Sequence, residues 1–193
     1  SRPFCHHPAQ QMLQRIRPVV LCLKEDDPSA KHSCHLAGPF ADPMPEPRQM
    51  TKQGWFAGLM TGTVLDGQID VALIRTDGHD ILEFGPAGAV PYPDHLRNRL
   101  AASVEAAATW NFDGPEPAIA TQVEQDVTLA QSDAVMAFVS SHGYSMDDIT
   151  AIGFHGQTIL HRAPAEGITG RTRQLGDGHL MAAQTGCPVI FDF

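Results

Sequence analysis

Residues 55–70, WFAGLMTGTVLDGQID, constrain this chain most, because they predict two β-strands that meet at a loop of small and hydroxyl-bearing residues. Glycine permits positive φ angles and lets the backbone approach a ligand closely. The segment has glycines at Gly58, Gly62 and Gly67. Thr61 and Thr63 add hydroxyl donors beside main-chain N–H groups. The segment therefore predicts a loop suited to binding phosphate.

No lysine follows this loop, so it lacks the P-loop pattern GxxxxGK[ST]. Phosphate binding here would depend on main-chain amides, hydroxyl groups and a metal ion. An ordinary glycine-containing hairpin is the alternative, since short glycine motifs often match by chance.

The charge distribution limits the class of ligand. Residues 1–49 contain six Lys/Arg and five Asp/Glu, so seven of the 13 basic and 17 of the 22 acidic residues fall in residues 50–193, a net charge of −10. Nucleic acids and anionic membranes need basic surfaces, so neither is an expected partner. No run of about 18 apolar residues predicts a membrane span. We expect a soluble, cytoplasmic protein that binds a small molecule.

Residues 1–49 differ in composition from the rest of the chain. They hold three of the four cysteines and four of the ten histidines. The CHH cluster at residues 5–7 and the CH pair at residues 34–35 lack the CxxC or HxxxH spacing of zinc sites, so no metal ligands are assigned. A metal-binding regulatory segment is the alternative. We expect a disordered leader or an over-extended start, with Met50 as the natural beginning of the folded part.

Hydrophobic patterning predicts strands over residues 55–60, 69–75 and 81–90, which form an antiparallel meander. Helices are predicted from Asp94, with Leu96 and Leu100 on its apolar face, and over residues 119–138. A strand over 149–155, a short helix over 178–185 and a strand over 188–193 complete the pattern. Cys187 is expected to be a reduced core thiol. This order predicts an α/β, ribonuclease-H-like half domain with a mixed sheet.

Four motifs occur in order: GLMTGTVLDGQID at residues 58–70, GFHGQT at 153–158, QLGD at 174–177 and FDF at 191–193. They resemble GxMSGTSxDGxD, GxHGQT, QxGD and DFR of the anhydro-N-acetylmuramic acid kinases of bacterial cell-wall recycling. The resemblance covers residues 54–193 and stops before the expected arginine. It implies the N-terminal domain of an actin- and hexokinase-type kinase, over residues 50–193 and incomplete at its C-terminal end.

The resemblance also implies the chemistry. Such a kinase uses ATP and Mg²⁺ to convert 1,6-anhydro-N-acetylmuramic acid and water to N-acetylmuramic acid 6-phosphate. Asp192 matches the general base that activates the water, and the sugar side of the cleft would be lined by His155, Gln157, Thr158 and Asp177. The ATP phosphates would be bound at Gly58, Thr61, Gly62, Thr63, Val64, Leu65, Asp66, Gly67 and Asp70.

The chain departs from the family pattern in its first motif. Thr61 keeps the hydroxyl of the usual serine, but Val64 replaces a second serine and Gln68 is an additional residue before Asp70. The contacts of this loop are therefore expected to differ from those of the family. The family's second phosphate loop and adenosine pocket have no counterpart in these residues, so the chain alone is expected to be inactive. A homodimer is a candidate assembly of the full-length form.

Structural roles compete with several of these assignments. Asp66 would form the hairpin turn or hold Mg²⁺ through water. Asp177 precedes a predicted helix, where it would serve as the N-cap. His155 would cap a strand, and Asp192 would be a carboxylate at a strand exit. The alternative to the enzyme is a non-catalytic nucleotide-binding or regulatory fragment of the same superfamily.

Overall fold

The computed structural model describes residues 35–37, 53–62 and 66–192. Within these ranges the strands are β1 (His35–Ala37), β2 (Gly54–Met60), β3 (Gln68–Thr76), β4 (Ile81–Pro91), β5 (Ile149–Phe154), β6 (Gln157–Arg162), β7 (Arg171–Leu175) and β8 (Val189–Phe191). The helices are α1 (Asp94–Trp110), α2 (Ala118–Ser141) and α3 (Gly178–Thr185). The predicted phosphate-binding residues Thr63, Val64 and Leu65 lie outside the described residues.

The main sheet is mixed, as predicted, and has the strand order β1-β8-β5-β2-β3-β4. Strands β2, β3 and β4 pair antiparallel, which confirms the predicted meander. Strand β5 pairs parallel with both β2 and β8. The central strands are buried on both faces: residues 56–59 of β2 and 71–74 of β3 are all buried. A parallel centre with continuous apolar runs is typical of a sheet covered on both sides.

The helices follow the predicted apolar stripes. Leu96 and Leu100 of α1 are buried, and Val123, Val127 and Phe138 of α2 pack in the same core. Pro93 and Pro117 occupy the N-cap positions of α1 and α2, where proline's missing N–H costs no helical hydrogen bond. Gly186 ends α3 in the left-handed conformation, as expected for a helix C-terminus. These observations confirm the three predicted helices.

A second, two-stranded sheet of β6 and β7 was not predicted. From the sequence, Gln157 is expected in a loop after β5, but it begins β6, because the connection at His155 and Gly156 is only two residues long. The far end of this hairpin contacts the α1–α2 turn: the guanidinium groups of Arg171 and Arg162 lie 4.4 Å and 5.2 Å from the centre of the Phe112 ring. Cation–π contacts of this kind stabilise the hairpin against the helices.

Strand β1 lies within the segment that we expected to be a leader. It pairs antiparallel with β8 at the edge of the main sheet, with Leu36 opposite Ile190. The other residues of 1–49, with the clusters at residues 5–7 and 34, and Met50 fall outside the described part of the chain. The expectation of a disordered leader therefore stays a prediction for those residues.

Cys187 is buried, as predicted for a core thiol, and burial raises the pKa of its thiol to about 12. Among the residues that the structure describes, no helix combines the length and apolar character needed to cross a bilayer.

Candidate functional site

The candidate site lies at the edge of the main sheet where the three parallel strands end, which we call the carboxyl edge. Leu59 of β2 pairs with Phe154 of β5, and Phe154 pairs with Phe191 of β8, so the three strands end at the same level. Thr61 and Gly62, His155 and Asp192 follow these strands. Ligands of open α/β sheets bind at this edge. The structure thus brings together predicted residues that are up to 131 positions apart in the sequence.

The β2–β3 loop returns the chain to the sheet through a tight turn. The Asp66 carboxylate accepts a 3.0 Å hydrogen bond from the Gln68 N–H, which confirms its predicted role in the turn. Gly67 has a φ of +76°, and a Cβ atom at this position would lie 2.6 Å from the Arg97 side chain. The Gly67 carbonyl accepts a 2.8 Å hydrogen bond from the Tyr92 N–H. The turn is therefore anchored at the start of α1.

Two predicted phosphate-binding residues lie within strands rather than in the loop. Gly58 is buried in the middle of β2, between Ala72 of β3 and Gly153 of β5. Asp70 lies in β3 opposite Met60, the last residue of β2, and is half-buried. Gly58 is thus part of the central sheet, and Asp70 lies at the base of the loop.

Two hydrogen bonds connect the loop after β2 with the turn after β5. The Thr61 hydroxyl donates to the Gly156 carbonyl at 2.9 Å, and the Gln157 side-chain amide donates to the Gly62 carbonyl at 3.0 Å. We call these the interloop hydrogen bonds. Both side chains are buried. Buried polar groups need hydrogen-bond partners, and these bonds supply partners for the Thr61 hydroxyl and the Gln157 amide.

His155 is held by a partner from the hairpin. The Gln174 side-chain nitrogen lies 2.7 Å from His155 Nε2, and His155 Nδ1 lies 3.4 Å from the Gly156 carbonyl oxygen. Burial lowers the pKa of His155 below its ordinary value of 6.5, so the ring is neutral at pH 7. The His155 ring therefore takes up a proton more readily in the unfolded chain than in the folded chain. As a result, His155 lowers the free energy of unfolding as the pH falls below about 6.5.

Asp192 has an unusual backbone conformation for a residue with a side chain. Its φ is +60°, in the left-handed region, and the residue is exposed. Asp and Asn tolerate this region better than other residues because their short polar side chains bond locally. Left-handed residues at strand ends are often part of functional sites. Asp192 follows Phe191 and His155 follows Phe154, and Phe191 and Phe154 are paired in neighbouring parallel strands.

Asp177 is the N-cap of α3, the structural role that competed with sugar binding in the sequence. Its carboxylate accepts hydrogen bonds of 2.9 Å and 3.0 Å from the His179 and Leu180 N–H groups. These bonds satisfy two of the free amides at the helix start. A contact of Asp177 with sugar stays a prediction.

Asp177→Ala is therefore expected to lower the free energy of unfolding by about 1 kcal/mol, because two helix amides lose their acceptor. Asp177→Ser keeps an N-cap oxygen and is the matched control. Urea denaturation of the two variants measures the difference. Equal stability of the Ala and Ser variants would show that the capping bonds contribute nothing.

Sequence reasoning missed a polar network between α2 and the end of β7. Glu124 accepts hydrogen bonds from the Arg173 guanidinium at 2.9 Å and from the Gly176 N–H at 3.0 Å. One turn later, the Thr128 hydroxyl accepts a 3.0 Å bond from the Asp177 N–H. The sequence does carry a signal for this network: Glu124 and Thr128 are four residues apart, each next to a buried valine, so they lie on the same side of the helix near the core. This network fixes the segment that carries Gln174 and Asp177.

A cavity of about 490 Å³ opens beside the β2–β3 turn. Its lining includes Asp66, Gly67, Tyr92, Arg97, Asn98 and Gln157. Tyr92 is buried and its hydroxyl accepts a 2.5 Å bond from the Gln131 amide, and burial raises the pKa of the phenol above its usual range. Arg97 also pairs with Asp94. The cavity thus offers carboxylate, amide and guanidinium groups to a polar ligand of moderate size.

Comparison with known proteins gives a consistent result. Residues 54–193 match the family model of anhydro-N-acetylmuramic acid kinase. A protein named anhydro-N-acetylmuramic acid kinase from Rhizobium rhizogenes is 57% identical over 139 residues, which cover 72% of this chain and 38% of that protein. A protein of the same name from Mesorhizobium japonicum is 55% identical over 139 residues, which again cover 72% of this chain and 38% of that protein.

A more distant relative, from Phenylobacterium zucineum, is 43% identical over 136 residues, 70% of this chain and 37% of that protein, and carries the same name. The chain spans less than two fifths of the length of these relatives. The matched region begins at β2 and includes the loops of the carboxyl edge. Since the family model covers well over half of the chain, this protein belongs to the anhydro-N-acetylmuramic acid kinase family.

Proposed function

We propose that these residues form the N-terminal, ribonuclease-H-like half domain of an ATP-dependent kinase. It acts in the cytoplasm on 1,6-anhydro-N-acetylmuramic acid released from peptidoglycan. The observation that carries the proposal is the meeting of the β2–β3 loop, His155 and Asp192 at the carboxyl edge. Family membership supports the kinase reaction. The strand order places Asp192 and the β2–β3 loop at the same edge of the sheet.

In this reaction Asp192 is the general base. It accepts a proton from water while the water oxygen bonds to the anomeric carbon and the bond from that carbon to O6 breaks. O6 then bonds to the γ-phosphorus of ATP, and ADP leaves. The exposed position of Asp192 keeps its carboxylate accessible to water and substrate. Placement of the water, the sugar and the phosphate supplies most of the rate enhancement.

The β2–β3 loop is the proposed phosphate-binding element. Gly62 is half-buried and Asp66 is exposed there, and the Asp66 side chain belongs to the cavity lining. The described residues contain no group of three His, Cys, Asp or Glu that could hold a metal ion by themselves. A single carboxylate, that of Asp66, fits Mg²⁺, which is usually bound through substrate phosphates, water and one or two carboxylates. Asp66 would hold it through water, and Mg²⁺ would neutralise phosphate charge.

The sugar is proposed to extend into the cavity beside the turn. Its volume of about 490 Å³ suits an amino sugar, and Asn98 of its lining can hydrogen-bond sugar hydroxyl and acetamido groups. Muramic acid differs from glucosamine by a lactyl carboxylate. Arg97 is the basic residue of the cavity lining, and guanidinium groups bind carboxylates in bidentate geometry.

Arg97→Gln is therefore expected to reduce the preference for 1,6-anhydro-N-acetylmuramic acid over 1,6-anhydro-N-acetylglucosamine by roughly tenfold, because one charge-assisted hydrogen bond is lost. The ratio of the two kcat/KM values measures this preference. Arg99→Gln, on the same helix but paired with Asp126 of α2, is the control. An unchanged ratio in Arg97→Gln would place the lactyl group elsewhere.

The function is tested with a protein of family length that contains these residues. Incubation with ATP, Mg²⁺ and the anhydro-sugar should release ADP and form the 6-phosphate of the opened sugar. The 193-residue chain is expected to release none, because a γ-phosphoryl group needs donors from both sides of a cleft. Nucleotide binding without ADP release by the longer protein would favour the non-catalytic alternative.

A further inference from the structure

The interloop hydrogen bonds extend the pairing of β2 with β5 beyond the end of the main-chain ladder. The last paired residues are Leu59 and Phe154. Beyond them, each loop donates one side-chain hydrogen bond to a carbonyl group of the other: Thr61 donates to Gly156 and Gln157 donates to Gly62. Two bonds that run in opposite directions restrict both the distance and the relative rotation of the two loops.

The surroundings leave these groups few other partners. Thr61 is 5% exposed and Gln157 is 1% exposed, so water cannot readily replace either donor. The other contact of the Gly156 carbonyl, from His155 Nδ1, is longer at 3.4 Å. Loss of a donor to a buried carbonyl costs the desolvation penalty of that carbonyl. Gly156 itself packs against β7, where a Cβ atom would lie 2.4 Å from the Leu175 carbonyl oxygen.

We propose that Thr61 and Gln157 are positioning residues that hold residues 61–62, at the start of the β2–β3 loop, and the β5–β6 turn in one fixed relative position. The hydroxyl of Thr61 acts on the other loop through the Gly156 carbonyl. The amide of Gln157 acts on the β2–β3 loop through the Gly62 carbonyl. In the kinase this joins the phosphate side of the cleft to the sugar side, a consequence that rests on the proposed function.

Hydrogen exchange of the 193-residue chain tests the positioning role without any ligand. Thr61→Val removes the hydroxyl and keeps the shape, and Thr61→Ser is the matched control that keeps the hydroxyl. Thr61→Val should accelerate amide exchange in residues 153–160 by roughly three- to tenfold, the effect of one net hydrogen bond. Gln157→Met should accelerate exchange in residues 57–62 and 66–68 to a similar degree.

Thr61→Ser should exchange like the wild-type chain in both segments, and helix α2 should be unaffected in all variants. The proposal is overturned if acceleration is confined to the mutated loop, or if α2 accelerates equally, since the latter would indicate general destabilisation. A Thr61→Ser variant that behaves like Thr61→Val would also overturn it.

Kinetics of the protein of family length give the second readout. Thr61→Val should raise the KM for ATP and the KM for the anhydro-sugar together, because both sides lose their common position, and Thr61→Ser should restore both values. A rise in only one KM would contradict the coupling. If the wild-type protein makes no product at all, the proposed function fails, while the exchange experiment still decides the positioning role.

Discussion

Asp192→Asn is expected to lower kcat by about 10²-fold or more in a kinase of family length that contains this chain. An amide cannot accept the proton of the attacking water, so ring opening and phosphorylation should be lost together. Asparagine has nearly the size of aspartate and tolerates the left-handed φ of +60° equally well. Ligand affinity and folding should therefore remain close to those of the wild-type protein.

Steady-state kinetics with ADP release, together with titration of the anhydro-sugar, separate these effects. Asp113→Asn is a suitable control because Asp113 is an exposed acid in the α1–α2 turn, outside the carboxyl edge. Near-normal turnover of Asp192→Asn would mean that Asp192 is an ordinary carboxylate at a strand end. Phosphorylation without addition of water would separate the two steps and contradict the mechanism.

Gly156→Ala is expected to destabilise the folded chain more than Asp177→Ala does. A left-handed alanine costs about 1–2 kcal/mol. At Gly156, with a φ of +73°, the new Cβ would also lie 2.4 Å from the Leu175 carbonyl oxygen, which is main chain and must shift with β7. Overpacking of this kind adds about 1–3 kcal/mol. The shift would also weaken the interloop hydrogen bond that Gly156 accepts.

Gly114→Ala isolates the backbone contribution. Gly114 has the same φ of +73°, but nothing lies within 4 Å of the position its Cβ would take. Thermal melts of the 193-residue chain should show a larger fall in Tm for Gly156→Ala, with about 2–4 °C for each additional kcal/mol in a domain of this size. Equal melting temperatures would show that the loop adjusts to the methyl group without cost.

The elements predicted correctly were those whose signals are local. The apolar run in residues 55–60 and the three- to four-residue period from Val123 to Phe138 each describe one strand or one helix, and they do so without reference to the rest of the chain. The same holds for Asp177 and Gly186 at the two ends of α3, because capping depends on residues within one turn.

The β6–β7 hairpin was missed because its strands carry weak local signals. Strand β7, Arg171–Leu175, is polar apart from Leu175 and forms by pairing with β6 and by contacts of Arg173 with Glu116 and Glu124 of the α2 region. Strand β6 begins two residues after β5, so its first residues resemble a loop in sequence. Without this hairpin, the position of Gln174 beside His155 could not be predicted.

The family and most of the order of strands and helices follow from the amino-acid sequence alone, because both depend on motifs and periods that lie along the chain. The contacts of several motif residues depend instead on the tertiary structure. The Thr61 hydroxyl and the Gly156 carbonyl are 95 residues apart, and they meet because β2 and β5 are neighbouring parallel strands. The local patterns of β2 and β5 do not specify this pairing, since strand order is set by the packing of the whole sheet.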